Sequence, residues 1–308
     1  MTDTRPAIVL HVGAHKTATT HLQHSIIGST RVVEQAGIRF FGPPHLRKPG
    51  TRIEARFNLP FNPRKTVADL RPAPVVLAEM LAGGRRLVLS EENFIGSLFD
   101  RRHPGPFHAI PAPLYPEAAA RVTALAEVAA PGQGIDLCLA IRDPAGFLNS
   151  AYGLALQAGS SVPVLNFKRR NPMALVDWAD LVARLRAARG VGRLTVWRFE
   201  DYAATFGAVT AALLGPDVPP IKPVARRVNP GLSAAAVAFT LEHRRKGVDG
   251  PVLQLARDTY PVGPDHPSHD AYDAEERALS DEYYATQVAR IAAMEGVTLI
   301  RPGDTGQG

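Results

Sequence analysis

A polar turn near the start of the chain has the residue types and the spacing that bind phosphate-like anions. It follows the apolar run 7–12 and precedes a helical pattern, so it joins a strand to a helix. Backbone amides converge at such a joint, and the amino end of the helix adds partial positive charge. Lys16 supplies a full charge, and the threonines beside it supply hydroxyl donors. The predicted anion cradle consists of Gly13, Ala14, His15, Lys16, Thr17, Ala18, Thr19 and Thr20. The alternative is a strand–turn–helix joint whose polar residues are incidental.

A second anion site is predicted around Arg142. This arginine ends the apolar run 135–141, and Ser150 follows eight residues later. The carboxyl edge of a parallel sheet is where α/β proteins bind ligands, and eight residues span about two helical turns. A guanidinium group together with a hydroxyl suits a phosphate. In the alternative, Arg142 pairs with Asp143 or with a helix end, and Ser150 is a surface residue.

Several stretches, in the same order along the chain, resemble sulfotransferases. Residues 9–20 (VLHVGAHKTATT) resemble the 5'-phosphosulfate-binding loop, particularly that of bacterial members with a K-T-G-T-T core, although Ala18 stands where the family usually has glycine. Residues 141–152 resemble the family's 3'-phosphate motif, and residues 196–202 resemble the Y-E-D-L segment that follows it. The basic stretch 226–233 is similar to the late loop that closes near the nucleotide. Alanine suits position 18 if the backbone there is helical, whereas a positive φ would count against the match.

The resemblance implies a P-loop-like three-layer α/β sandwich with a central, mainly parallel sheet flanked by helices. It also implies 3'-phosphoadenosine 5'-phosphosulfate (PAPS) as the cofactor, adenosine 3',5'-bisphosphate as the product, and in-line transfer of the sulfuryl group to a hydroxyl or an amine. Lys16 would hold the bridging oxygen, and Arg142 with Ser150 would hold the 3'-phosphate. The late loop would add Arg226 and Arg227 near the nucleotide.

A general base must take the proton from the acceptor. Glu92 is favoured, because residues 88–94 are similar to the L-S-S-E segment at a strand end in bacterial members. Its neighbour Glu91 cannot point the same way on an extended chain, and a like charge nearby would raise the pKa of either carboxyl towards a useful value. His15 is the second candidate, since histidine titrates near neutrality. Alternatively, Ser90 caps a helix that starts with both glutamates, and His15 only shapes the turn. The predicted catalytic residues are Lys16, Glu92 and His15.

Apolar runs alternate with helical patterns, which predicts β–α units and a mainly parallel sheet. The predicted strands are 7–12, 38–41, 86–90, 135–141 and 194–197. The predicted helices run from 21 to 37, over 75–81 and 117–130, onward from Pro144, over 174–189, and near 202–214, 232–246 and 273–295. We expect one domain over 1–308, with irregular insertions about 42–74 and 99–116 and a helical C-terminal part about 203–308.

Composition narrows the class of protein. The chain has 308 residues and a net charge of +6, which fits either arginine-rich codon usage or an anionic partner. Its one cysteine, Cys138, can form neither an internal disulfide nor a cysteine metal cluster. Neither a signal-peptide pattern nor an apolar run of about 20 residues is present, which predicts a cytoplasmic protein without a transmembrane segment. Neither a metal nor a nucleic-acid partner is expected, and the segment Asp265–Asp270 is predicted to be a solvated loop.

Two other functions stay open. The first is a P-loop kinase or NTPase, which would need the Walker A spacing; that spacing is not met, because His15 stands in the position of the second glycine. Such an enzyme would also need an aspartate to bind Mg²⁺, and only Asp143 is suitably placed. A non-catalytic module that binds nucleotides or polyanions is the other alternative. The expected acceptor is a carbohydrate or polysaccharide, since the basic insertions would suit an acidic glycan. Their aromatic residues would either stack on sugars or anchor loops; they are Phe57, Phe61, Phe107 and Tyr115.

Overall fold

A single parallel sheet organises the computed structural model, which describes residues 7–61, 67–100, 108–225 and 231–304. The strands in these ranges are β1 (Ala7–His11), β2 (Ile38–Phe41), β3 (Arg86–Ser90), β4 (Ile135–Ile141), β5 (Val191–Arg198) and β6 (Val297–Ile300). Their spatial order is β2-β3-β1-β4-β5-β6, and every neighbouring pair is parallel. The central strands are short apolar runs because both of their faces are covered. The predicted α/β class, with helices flanking one parallel sheet, is confirmed; its P-loop-like character stays a prediction.

Helices cover both faces of the sheet. The longer ones, of eight residues or more, are α1 (Thr19–Gly28), α5 (Ala73–Leu81), α6 (Ala118–Ala129), α7 (Pro144–Gln157), α9 (Trp178–Arg186), α10 (Tyr202–Leu214), α11 (Ala234–Arg245), α12 (Val252–Thr259) and α13 (Ala274–Ala292). The shorter ones are α2 (Thr30–Gln35), α3 (Pro43–Leu46), α4 (Ile53–Arg56) and α8 (Val164–Arg170). Single 3₁₀ turns lie at Glu92–Ile95 and Met173–Leu175.

The structure corrects several predicted boundaries. The helix expected from 21 to 37 is divided into α1 and α2, which meet at Ser29. The helix expected from 174 begins instead at Trp178, because the Asp177 side chain caps it through the Asp180 amide. The strand β6 was not predicted, and its half-exposed residues explain why its apolar pattern is weak. Nor were α8 and α12 predicted.

Side chains of β1 alternate between two apolar layers. Ile8 and Leu10 pack in the layer formed by α6, α7 and α9, whereas Val9 packs in the layer formed by α1 and α10. The helix that follows β1 therefore lies on one face of the sheet, and the helix that follows the adjacent strand β4 lies on the other. Such a reversal opens a crevice at the carboxyl ends of the two strands, where open α/β sheets bind ligands.

The structure also addresses the membrane prediction and the aromatic residues of the insertions. Among the residues it describes, no helix is long and apolar enough to cross a membrane. Phe57 and Tyr115 are buried and anchor their loops, so neither can stack on a bound sugar. The ring of Phe61 lies 4.8 Å from the Arg121 guanidinium carbon, and Phe107 is outside the described residues.

Candidate functional site

The loop after β1 is held in place by β4. The amides of Val12 and Ala14 donate to the carbonyls of Cys138 and Ala140, at 3.0 and 3.1 Å, and the Ala140 amide donates back to Gly13 at 2.6 Å. In contrast, the amides of residues 16–20 donate to no group in the described part of the chain. These free donors lie at the amino end of the ten-residue helix α1, where the helix dipole favours an anion. The loop therefore has the backbone features of the predicted cradle.

The threonine hydroxyls mostly serve the loop itself. Thr17 and Thr19 are buried, and each donates its hydroxyl hydrogen to the Ala14 carbonyl, at 2.7 and 3.0 Å. The Thr20 hydroxyl is half-buried and is bonded to no described group. Thr17 and Thr19 would therefore bind an anion through their backbone amides, whereas the Thr20 hydroxyl is available to donate to an anion directly.

Ala18 adopts the left-handed conformation, with φ +64° and ψ +18° at the N-cap of α1. This positive φ counts against the sulfotransferase match at position 18. An alanine in this region of φ/ψ space is less stable than glycine by about 1 kcal/mol. Lys16 has the same positive φ, so two residues of the loop have backbone conformations that favour glycine. Ala18 is therefore less favourable for this loop conformation than the glycine that sulfotransferases usually have at the corresponding position.

Gly13 brings the loop against Glu92. Its φ is +90°, and a Cβ atom built there would lie 2.9 Å from the Cβ atom of Glu92. No larger residue fits without moving one of the two segments. Gly13 thus allows the segment that carries Glu92 to approach the predicted phosphate-binding loop closely.

The two adjacent glutamates have different environments. Glu91 is buried and accepts two hydrogen bonds from Arg47, at 2.8 and 2.7 Å, and two from the backbone and side-chain amides of Asn93. Burial alone would raise the pKa of Glu91, but its hydrogen bonds with Arg47 and Asn93 hold that pKa below the ordinary value. Glu92 is half-buried, and its Oε1 lies 3.2 Å from Nη2 of Arg47. Glu92 is thus the carboxylate beside the loop, and Glu91 caps the 3₁₀ turn in the role that the alternative gave to Ser90.

His15 belongs to a buried hydrogen-bonded chain. Its Nδ1 lies 2.8 Å from the Tyr115 hydroxyl, and its Nε2 lies 3.3 Å from Oδ1 of Asn93. The Asn93 amide nitrogen donates to Glu91, so its oxygen faces His15 and accepts a hydrogen from Nε2, which in the neutral ring leaves Nδ1 to accept from the Tyr115 hydroxyl. Burial lowers the pKa of His15. Both ring nitrogens are occupied, so this arrangement leaves His15 no lone pair for a general base and favours the alternative in which it shapes the turn.

Arg142 contacts the loop directly. Its Nη1 donates to the Lys16 carbonyl at 2.9 Å, and its guanidinium carbon lies 4.2 Å from the centre of the Phe199 ring. The Arg142 carbonyl accepts from Nε1 of Trp178 at 2.6 Å, which fixes the backbone at the end of β4. The structure thus brings the two predicted anion-binding segments together.

Asp143 does not form an ion pair with Arg142, contrary to the alternative for that arginine. Its carboxylate caps α7 through the amides of Ala145 and Gly146, and it accepts a hydrogen bond from Ser280 at 2.6 Å. Its carboxylate also lies 3.6 Å from Arg277. Within the described chain, no carboxylate forms an ion pair with Arg142, whose pKa is lowered by burial.

A third cation, Arg257, was missed by the sequence analysis. Burial lowers the pKa of Lys16, and the charges of Arg142 and Arg257 lower it further, while Glu92 opposes them. Both arginines therefore lie within electrostatic reach of Lys16. The Nε atom of Arg257 is buried and has no hydrogen-bond partner. No sequence signal marks this residue, because it lies on α12, far along the chain from either motif.

The remaining predicted residues are less informative. Ser150 is half-buried on α7, and its hydroxyl bonds to no group among the residues described, whereas its neighbour Asn149 holds the backbone of His269 and Ala271. Arg226 and Arg227 lie outside the described residues. The described residues contain no cluster of histidine, cysteine and acidic side chains suited to a metal ion.

Comparison with known proteins adds no family assignment. The chemistry of the site is therefore inferred from its own residues and their contacts. No protein-family model matches the sequence, and a search of curated proteins finds no match.

Proposed function

We propose that the protein is a sulfotransferase, which moves the sulfuryl group of PAPS to an acceptor hydroxyl or amine. The observation that carries the proposal is the contact between the two anion-binding segments, in which Arg142 donates to the carbonyl of Lys16. The ligand expected there carries two separate anionic groups, one for the loop after β1 and one for Arg142. Adenosine with phosphates on both its 3' and 5' positions has this character.

The residues present fit such a ligand. Arg142 and Arg257 both add positive charge within electrostatic reach of Lys16, and the described carboxylate that opposes them there is that of Glu92. The free amides of residues 16–20 add donors that require no side chain. Burial of Arg142 and Lys16 strengthens their attraction for an anion, because the local dielectric constant is lower than that of water.

Each residue then has a defined role. When bound, PAPS supplies an activated sulfuryl group that is joined to its 5'-phosphate through a bridging oxygen. Lys16 and the loop amides stabilise the negative charge that develops on that phosphate. Glu92 accepts the proton from the acceptor as the acceptor's oxygen or nitrogen bonds to sulfur and the bond from sulfur to the bridging oxygen breaks. The electron pair of the broken bond stays on the 5'-phosphate, and the proton stays on Glu92.

The kinase alternative loses support at Asp143. A Mg²⁺ ligand should present a free carboxylate to the nucleotide, but Asp143 caps α7 and bonds to Ser280.

The buried free thiol of Cys138 is consistent with a cytoplasmic location, which remains part of the proposal.

Transfer of label from ³⁵S-PAPS tests the proposal. The purified protein would be incubated with ³⁵S-PAPS and with carbohydrate, lipid and metabolite fractions of bacterial extracts, alongside the variants Lys16→Ala and Glu92→Gln. We expect label in at least one fraction with the wild-type protein and loss of most transfer with either variant. Failure to label any fraction, or labelling by both variants equal to that of the wild-type protein, would contradict the proposed reaction.

A further inference from the structure

A cavity of about 440 Å³ lies between the 3₁₀ turn after β3 and the loops that carry the two insertions. This volume lies within the range of about 300–1,000 Å³ that is typical of small-ligand pockets. Its lining residues include Arg47, Asn93, Phe99, Glu117 and Arg121.

The cavity shares its wall with the proposed catalytic site. Arg47 lines the cavity and also lies 3.2 Å from the Glu92 carboxylate. Asn93 lines the cavity and contacts His15 of the phosphate-binding loop at 3.3 Å. A molecule in the cavity would therefore lie one side chain away from both the proposed base and the loop.

The described residues of the wall carry equal numbers of positive and negative groups. Its described residues include three guanidinium groups, of Arg47, Arg52 and Arg121, and three carboxylates, of Glu54, Asp100 and Glu117. The arginines are also largely paired: Arg121 donates to Glu117 at 2.8 and 3.1 Å and lies 3.5 Å from Glu54, and Arg47 holds Glu91 and Glu92. An anionic ligand would have to compete with these carboxylates for the guanidinium groups of Arg47 and Arg121. Arg52 forms no ion pair with a described residue, but its charge acts on Glu54 in the same wall.

A neutral ligand with many hydroxyl groups meets no such competition. Each hydroxyl both donates and accepts, so it can add to a guanidinium–carboxylate pair without breaking it. The partly buried Phe99 and the backbone around Pro111 give the cavity an apolar side against which the carbon–hydrogen face of a sugar ring can pack. Ser97, whose hydroxyl has no partner among the described residues, adds a polar group with an unused hydrogen.

We infer that this cavity binds the acceptor and that the acceptor is an uncharged saccharide, not the acidic glycan suggested by the basic composition of the insertions. The inference rests on the proposed function for its link to transfer, but binding of the saccharide can be measured without any reaction.

An array of immobilised oligosaccharides tests the inference. It would carry neutral gluco-, galacto- and manno-oligosaccharides beside uronic-acid and sulfated oligosaccharides of the same lengths, and it would be probed with the full chain in the presence of adenosine 3',5'-bisphosphate. We expect retention on neutral members and none on the acidic ones. Retention on acidic members, or on none of either kind, would overturn the inference.

Two variants locate the binding in the cavity. Ser97→Phe should fill the space and weaken retention by roughly tenfold or more, while Ser161→Phe, on an exposed loop residue that lines no part of the cavity, should leave it unchanged. Glu117→Gln removes an exposed carboxylate from the wall and should create retention on acidic members without affecting the fold. Retention by Ser97→Phe equal to that of the wild type, or no gain of acidic binding by Glu117→Gln, would contradict the placement.

The bisphosphate itself separates the two proposals. If calorimetry shows that the bisphosphate binds but the array retains nothing, the cavity inference fails and the proposed function stands. If neutral saccharides are retained but the bisphosphate does not bind, the proposed function fails and the cavity inference stands as saccharide binding alone.

Discussion

The guanidinium group of Arg142 donates to the main-chain carbonyl of Lys16 across 2.9 Å, although the two residues are 126 positions apart in the chain. This contact fixes the end of β4 against the loop that follows β1. It also uses only one of the five donors of the guanidinium group. The Phe199 ring, whose centre lies 4.2 Å from the guanidinium carbon, adds a cation–π contact that needs none of these donors. Arg142 can therefore position the loop and hold an anion at the same time.

Arg142→Lys should separate the charge of this residue from its geometry. Lysine keeps the positive charge but cannot both reach the Lys16 carbonyl and present a planar pair of donors. We expect the affinity for adenosine 3',5'-bisphosphate to fall by about tenfold or more, which corresponds to the loss of about 1.5–3 kcal/mol from a charged hydrogen bond. Isothermal titration would measure the change, with the exposed Arg189→Lys as the control. An unchanged affinity would show that only the charge matters.

Ala18→Gly should stabilise the protein. The left-handed backbone at this N-cap favours glycine by about 1 kcal/mol, so we expect the midpoint of thermal unfolding to rise by about 2 °C. Ala285→Gly is the matched control, because Ala285 is exposed within α13, where glycine destabilises a helix by about 1 kcal/mol. A fall in the midpoint for both variants would contradict the account of the loop.

Glu92→Gln and Glu91→Gln should affect different properties. Loss of the proposed base at Glu92 should reduce kcat by a factor of about 10²–10⁴ with little change in stability. Glu91→Gln should instead lower the free energy of unfolding by about 1–3 kcal/mol, because it removes the buried carboxylate that accepts two hydrogen bonds from Arg47. Transfer assays and urea unfolding of both variants would test this division. A large loss of kcat in Glu91→Gln, with Glu92→Gln fully active, would reverse the assignment.

The stability of the protein should fall as the pH falls from about 6.5 to about 4, partly because of His11. Burial between Ser90 and Trp197 lowers the pKa of His11 to about 4, while the unfolded chain keeps the ordinary value near 6.5. In this window the unfolded chain binds a proton that the folded chain does not, so the free energy of unfolding rises with pH. Urea unfolding at several pH values should show a smaller slope for His11→Gln. Equal slopes for the two proteins would contradict the buried neutral state.

Arg257→Gln should weaken binding of the bisphosphate. Removing a positive charge that acts on Lys16 reduces the attraction for an anion, and the effect should be largest at low ionic strength, because salt screens charges. We expect a severalfold loss of affinity at low salt that shrinks at high salt. Arg245→Gln, an exposed change on the neighbouring helix α11, is the control. Equal affinities for Arg257→Gln and the control would remove Arg257 from the site.

Strong local patterns account for what the sequence predicted correctly. The central strands are continuous apolar runs, and Pro144 with the Asp143 cap marks the start of α7 clearly. The edge strand β6 has no such run, because only one of its four residues is buried. The helix α12 has an amphipathic pattern but is only eight residues long, so its signal is short.

The site was predictable only where motifs were local. The cradle and Arg142 lie at strand ends, so their convergence follows from a parallel sheet. The roles of Glu91 and His15 depend on partners that are distant in sequence, Arg47 and Tyr115, and no local pattern reveals such pairs. The positive φ of Ala18 is likewise a property of the folded loop.

Calorimetric titration with adenosine 3',5'-bisphosphate tests the central claim most directly. ATP with Mg²⁺ and 5'-AMP are the comparators, and Arg142→Ala is the variant, with its folding checked by circular dichroism. We predict that the bisphosphate binds more tightly than either comparator and that Arg142→Ala abolishes this preference while the fold is kept. Binding of ATP with Mg²⁺ in place of the bisphosphate, or a preference that survives Arg142→Ala, would contradict the account.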